Sequence, residues 1–200
     1  MEIAYQDAHF CCWGSQTQGG IYLLRLTVSQ PILVGFGRFQ HGRSLPVAAG
    51  DYLYVGSALA TRGSTSLARR LLRHASRNHV AAPHLLRQKM LQLFPQIGLG
   101  PTPLLPPAHK TLRWHVDFLL EETAVTLTTV YLIRNNKLGV ALETAVARFL
   151  LAWPTIAPLA VGLGSSDDPG GTHLLRVAAD SAWWANFPEQ LTLFLQGVLT

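Results

Sequence analysis

Two hundred residues suffice for one well-cored domain, and a hydrophobic content of 48% can fill that core. No apolar run reaches the roughly eighteen residues of a membrane helix, and the opening MEIAYQDAHF lacks the basic and apolar regions of an export signal, so the expected setting is the cytoplasm, with no membrane partner. Net charge is +5, no CxxC pair suggests a zinc ribbon, and the two cysteines, Cys11 and Cys12, are adjacent, which argues against a disulfide.

Residues 14–20 (GSQTQGG) read as a polar, glycine-rich loop, and the following IYLLRLTV reads as a strand. A second strand is expected from Ile32 to Phe39 and a third from Asp51 to Ser57, across a turn-like GRSLPVAAG, as an antiparallel start. From Ser66, LARRLLRHA sets Leu67, Leu71 and Leu72 on one face and Arg69, Arg70 and Arg73 around the other, an amphipathic helix with Ser64, Thr65 and Ser66 available as caps. A second helix is expected at His84 to Phe94, before the proline-rich surface loop 98–110. WHVDFLL at 114–120 and TLTTVYLI at 126–133 read as strands, and Gly139 to Trp153 as a helix burying Leu142, Val146, Phe149 and Leu150, stopped by Pro154 and Pro158. A loop at 162–171, a short strand THLLRVA and a closing helix from Phe187 to Leu199 complete the chain. The mixed order predicts an α+β fold: one domain over residues 1–200, a small mixed or antiparallel sheet flanked by helices, with a core of about 19–177 and a C-terminal helix within about 183–199.

Charge is unevenly placed. Between Asp51 and Asp117 no acidic residue occurs, while that stretch carries nine lysines and arginines and five histidines. Such a block is either a solvated face or a site for a polyanion, and the thirteen arginines against three lysines suit phosphate, because a guanidinium grips two oxygens at once. Tyr22 and Tyr54 lie in two strands flanked by Gly20 and Gly56, which remove side chains where a backbone or ligand approaches closely. Tyr52, two residues before Tyr54, faces the same side. Glu143 is a lone carboxylate on an otherwise apolar helix face. Phosphodiester hydrolysis needs an activated water, a cation against the phosphorus and a carboxylate for a divalent metal, roles that tyrosine, arginine and glutamate can fill. His115 and Asp117 alternate in WHVDF and, on a strand, would share one face; His74 ends the arginine helix, where it would touch phosphate or cap the helix.

GIY at 20–22, YVG at 54–56, Arg70 three residues after Leu67 and a downstream helical glutamate together resemble the GIY-YIG nuclease superfamily. The ordered blocks YLYVGSA, LARRLLRH, WHVDFLL, ALET and GLGSSD with HLL after it are similar to the branch sometimes fused to endonuclease III-type DNA glycosylases, over about Gly19 to Val177. The resemblance implies a general base at Tyr22, a positioning role for Tyr54, a phosphate contact at Arg70 beside Arg69 and Arg73, and a single Mg2+ or Mn2+ on Glu143. It also implies a nucleic-acid partner, DNA before RNA, contacted by Arg62, Arg69, Arg73, His74 and Arg77, and a functional link to base-excision repair enzymes. Gly20, Gly56, His115, Asp117, Ser165 and Ser166 are supporting candidates; after SSD this chain has Asp168, Pro169, Gly170, Gly171 and Thr172 where the branch carries cysteines and a serine. Two rival readings are a catalytically weak or inactive nucleic-acid-binding module of the same fold, and a hydrolase triad of Ser165 or Ser166 with His115 or His173 and Asp117 or Asp167.

Overall fold

Near-continuous β-branched and aliphatic runs mark strands covered on both faces, and the longest three form the middle of the sheet. The computed structural model describes residues 1–63, 65–78, 81–164 and 171–199. In chain order its elements are β1 (Ile3–Gln6), β2 (Phe10–Trp13), β3 (Gly20–Val28), β4 (Ile32–Gly35), β5 (Ser44–Val47), β6 (Gly50–Ala58), α1 (Leu67–Ala75), α2 (Leu86–Gln96), α3 (His115–Glu121), β7 (Val125–Ile133), α4 (Val140–Leu151), β8 (Ile156–Pro158), β9 (Leu174–Val177) and α5 (Ser181–Leu199). Seven strands form one mixed sheet in the order β1-β2-β7-β3-β6-β9-β8, and β4 pairs with β5 in a separate hairpin. Only the β2–β7 pairing is parallel among the described strands. The expected α+β class holds, and no helix among the described residues is long and apolar enough to cross a membrane.

Alternation along β3 and β6 sends Tyr22, Leu24, Leu26, Tyr52 and Tyr54 to the layer formed by α1, α2 and α3, and Ile21, Leu23, Leu53 and Val55 to the layer of α4 and α5. The antiparallel register places Tyr22 opposite Gly56 and Leu24 opposite Tyr54. The GIY and YVG segments are therefore side by side. Residues 114–120 are not a strand: Val116, Leu119 and Leu120 are buried at helical spacing, and the Asp117 carboxylate accepts the Trp114 backbone N–H at 3.0 Å, capping α3. The strand expected to reach Phe39 ends at Gly35, where a loop leads into a tight turn at Phe39–Gly42. At the far end α5 starts six residues before Phe187, the Asp180 side chain accepting the Trp183 N–H at 2.8 Å. Strands β1 and β2 lie outside the expected core. All four residues of β2 are buried beside β7, with Cys11 and Cys12 both free thiols on opposite faces.

Candidate active site

Glycine decides where the first tyrosine goes. A Cβ at position 56 would lie 2.5 Å from Tyr22 Oη, so only glycine on β6 lets the phenol cross the neighbouring strand. Gly20 answers a similar constraint, since a Cβ there would overlap the Ile133 carbonyl oxygen. Tyr54 stands beside Tyr22 with ring centroids 6.2 Å apart, and His74 of α1 closes the group at 5.6 Å from Tyr22 and 6.1 Å from Tyr54.

These rings form part of a hydrogen-bonded line. Tyr22 Oη lies 2.8 Å from His74 Nε2, and His74 Nδ1 lies 3.0 Å from Asp117 Oδ1. Burial alone would raise the Asp117 carboxyl, but the His74 bond and the Lys110 and Arg73 charges outweigh it and hold the group well below the usual carboxylate range. A carboxylate only accepts, so His74 Nδ1 carries the proton. Burial lowers the pKa of His74 despite Asp117, which keeps the ring neutral and leaves Nε2 to accept the Tyr22 O–H. Asp117 also accepts the Arg113 and Trp114 N–H groups at 3.0 Å each and pairs with Arg73 Nη2 at 3.0 Å. Lys110 Nζ is 3.9 Å from Asp117 Oδ1 and 2.9 Å from Glu121 Oε1.

Charge approaches the phenols from two sides. Burial raises both tyrosine pKa values; for Tyr22 the Arg70 charge and a hydrogen bond from Arg70 oppose that rise, while the Glu143 and Asp117 charges add to it. The Arg70 guanidinium stacks 3.8 Å from the Trp114 ring, and its Nε is buried without a hydrogen-bond partner among the described residues. Glu143, in the first turn of α4, is buried and places Oε1 3.0 Å from His173 Nδ1, which is also 3.1 Å from the Val55 carbonyl. Among the described residues no three His, Cys, Asp or Glu side chains group as a metal cage. The single carboxylate of Glu143 fits Mg2+ or Mn2+, which keep several waters and take phosphate oxygens, and does not fit a metal needing a full protein shell.

A family model described as "Domain of unknown function DUF123" matches residues 21–193, which include Tyr22, Tyr54, Arg70, His74, Asp117 and Glu143. The chain belongs to the DUF123 family. No curated protein and no solved structure matches it.

In this DUF123 chain the other expected site residues divide by burial. Arg62 and Arg69 are exposed and line a cleft of about 410 Å3 with Gln18, Ser66 and Gly100. Arg73 is turned inward, onto Asp117 and the Thr111 carbonyl. Arg77 differs from expectation: it donates to the carbonyls of Leu120, Ala82, Glu122 and Val125, so it ties α1 to the end of α3 instead of presenting its charge. His74 also differs, neither capping α1 nor reaching the surface, because its ring is fully buried between Tyr22 and Asp117. His115 and Asp117 do not share a face, since two residues on a helix diverge by about 200°. His115 instead packs edge-on against Phe39 at 5.4 Å. Tyr52 donates to the Ala48 carbonyl at 2.9 Å, away from the site. Ser165, Ser166 and Asp167 lie outside the described residues. Trp114, Lys110 and the pairing of His173 with Glu143 were not anticipated. Only the four-residue spacing of Arg70 and His74, which stacks them on one side of α1, carried a signal in the sequence.

Proposed function

We propose that this DUF123 protein is a nuclease that hydrolyses phosphodiester bonds in nucleic acid, DNA before RNA, with Tyr22 accepting the proton of the attacking water. The observation that carries this reading is the Tyr22–His74–Asp117 line. A phenol whose pKa is raised by burial is a poor free base. It need not ionise first: as the water oxygen bonds to phosphorus, its proton passes to Tyr22 Oη while the Tyr22 proton passes to His74 Nε2. Asp117 stabilises the resulting imidazolium, the logic by which a buried aspartate serves a catalytic histidine elsewhere. The ester P–O bond then breaks, and the leaving oxygen is protonated from His74 or solvent. Arg70, with a buried N–H to spare, faces the phosphate charge, and Tyr54 walls the phenol. Glu143 would hold a Mg2+ or Mn2+ ion, which when bound supplies positive charge to the phosphate oxygens. The proposed setting is the cytoplasm, and the proposed link to base-excision repair rests on the family resemblance alone.

The test is cleavage of linear, nicked and branched DNA in Mg2+ or Mn2+ by wild type, Tyr22→Phe, His74→Ala and Glu143→Ala. A loss of about a hundredfold or more in each variant, with binding retained, is expected. Wild-type cleavage that all three variants match would sink the reading. A second reading has one observation in its favour: Tyr22 and Tyr54 are 0% and 1% exposed. A module that binds nucleic acid without cutting it would show salt-steep, metal-independent affinity and no cleavage in any of the four proteins.

A further inference from the structure

We propose that the cleft between the turn at Phe39–Gly42 and the start of α3 is a nucleobase pocket, and that the substrate carries an unpaired nucleotide beside the scissile phosphate. The inference rests on the nuclease reading for the phosphate and adds a site for the base. The cleft encloses about 700 Å3, within the range of sites that hold small organic ligands. Phe39, His115 and Phe118, with the buried Phe36 and Trp114 behind them, make its walls aromatic, and Arg38 and Arg113 make its rim cationic, while Arg73 lines it with its charge paired to Asp117. Flat π surfaces within a guanidinium rim complement a base attached to a phosphodiester: the rings stack the base and the rim meets the phosphates.

Two independent observations point the same way. His115 lines the cleft with its ring held by the Gly164 backbone, and its Nδ1 is buried with no hydrogen-bond partner among the described residues, a place that a base edge can fill. Directly after Phe39, Gln40 and His41 hold φ values of 45° and 58°, a left-handed backbone that is strained for residues other than glycine. That turn sets the Phe39 ring at the wall of the cleft. The cleft also adjoins the proposed chemistry. Arg73 lines it while pairing with Asp117 at 3.0 Å, and the Trp114 ring lies 5.8 Å from His74, whose Nε2 bonds Tyr22. A phosphate held at Arg70 and Tyr22 thus brings the adjoining nucleotide to the aromatic walls. A base in continuous duplex is paired and stacked, whereas one at a flap, loop, nick or single strand enters without that cost.

Binding is measured by fluorescence anisotropy in EDTA, on a single-stranded DNA, an RNA of the same sequence and the corresponding blunt DNA duplex, with wild type, Phe39→Ala and Phe39→Trp. Metal-free binding is separate from hydrolysis, so a failure here leaves the nuclease reading to its cleavage assay, and a failure of cleavage leaves the pocket to this one. Single strands are expected to bind about tenfold tighter than duplex, Phe39→Ala to lose that advantage with duplex affinity unchanged, and Phe39→Trp to regain it. An advantage on DNA, on RNA or on both supports the pocket and identifies the sugar it accepts. In wild type, 2-aminopurine moved along the strand should change emission on binding at one position, a readout that stands even if Phe39→Ala does not fold. Equal single-strand and duplex affinity, or no position with altered 2-aminopurine emission, overturns the proposal.

Discussion

Single atoms govern the Tyr22 phenol. Adding a methyl at Gly56 puts a carbon 2.5 Å from Tyr22 Oη, and since the far side of the ring is packed core, the phenol must leave His74. Gly56→Ala is expected to cost about 1–3 kcal/mol of stability by overpacking, seen as a lowered Tm, and to abolish any cleavage that depends on Tyr22. Asp117 is the other residue on which much depends, because Arg73, Lys110 and His74 all converge on it. Its folded pKa is depressed below the unfolded value of about 4, so its contribution is complete above pH 4 and is lost as pH falls through the folded pKa. Asp117→Asn leaves the buried cations poorly matched and should cost about 3–5 kcal/mol at neutral pH. Urea titrations at several pH values should show the wild type losing stability below pH 4 more steeply than the variant.

At the scale of elements, α1 and α3 face each other across the phenol, and the reason is chemical patterning on both. Leu67, Leu71 and Leu72 anchor α1 while Arg70 and His74, one turn apart, reach the site. Helix α3 is held from both ends: Asp117 caps its start, and the carbonyls of Leu120 and Glu122 near its finish accept Arg77. His84 joins α3 to the sheet, its Nε2 donating to the Leu120 carbonyl at 3.0 Å and its Nδ1 accepting the Leu127 N–H at 3.2 Å. This arrangement needs a neutral ring, and burial, with help from Arg77, pulls its pKa down to about 4. An unfolded histidine titrates near about 6.5, so the unfolded chain takes up the extra proton first on acidification. The contribution is whole above about pH 6.5 and drains away toward pH 4, by about 3 kcal/mol in all. Chemical denaturation across that window should show the decline, and His84→Gln should flatten it.

At the scale of the molecule, charge is sorted. The acid-free stretch from 52 to 116 supplies Arg62 and Arg69 to one cleft and Arg73 and Arg113 to another. If nucleic acid lies across Arg62 and Arg69, their joint replacement by alanine weakens binding to all sequences alike and reduces the slope of log affinity against log salt by about 2. An unchanged slope would remove them from the interface. Much of this architecture was legible beforehand: β3, β6, α1, α4 and the tyrosine–glycine spacing follow from periodicities of two and 3.6, which are local properties of the chain. The seven residues WHVDFLL satisfy both periods, and only the neighbours of Val116, Leu119 and Leu120 chose the helix. Strands β1 and β2 were overlooked because four residues carry too little pattern until β7 pairs with them. By itself the sequence determined which residues are chemically able and which segments carry them. The tertiary structure alone decided that Tyr22, His74 and Asp117, from a strand and two separate helices, share one hydrogen-bonded line, because such contacts depend on packing between distant segments.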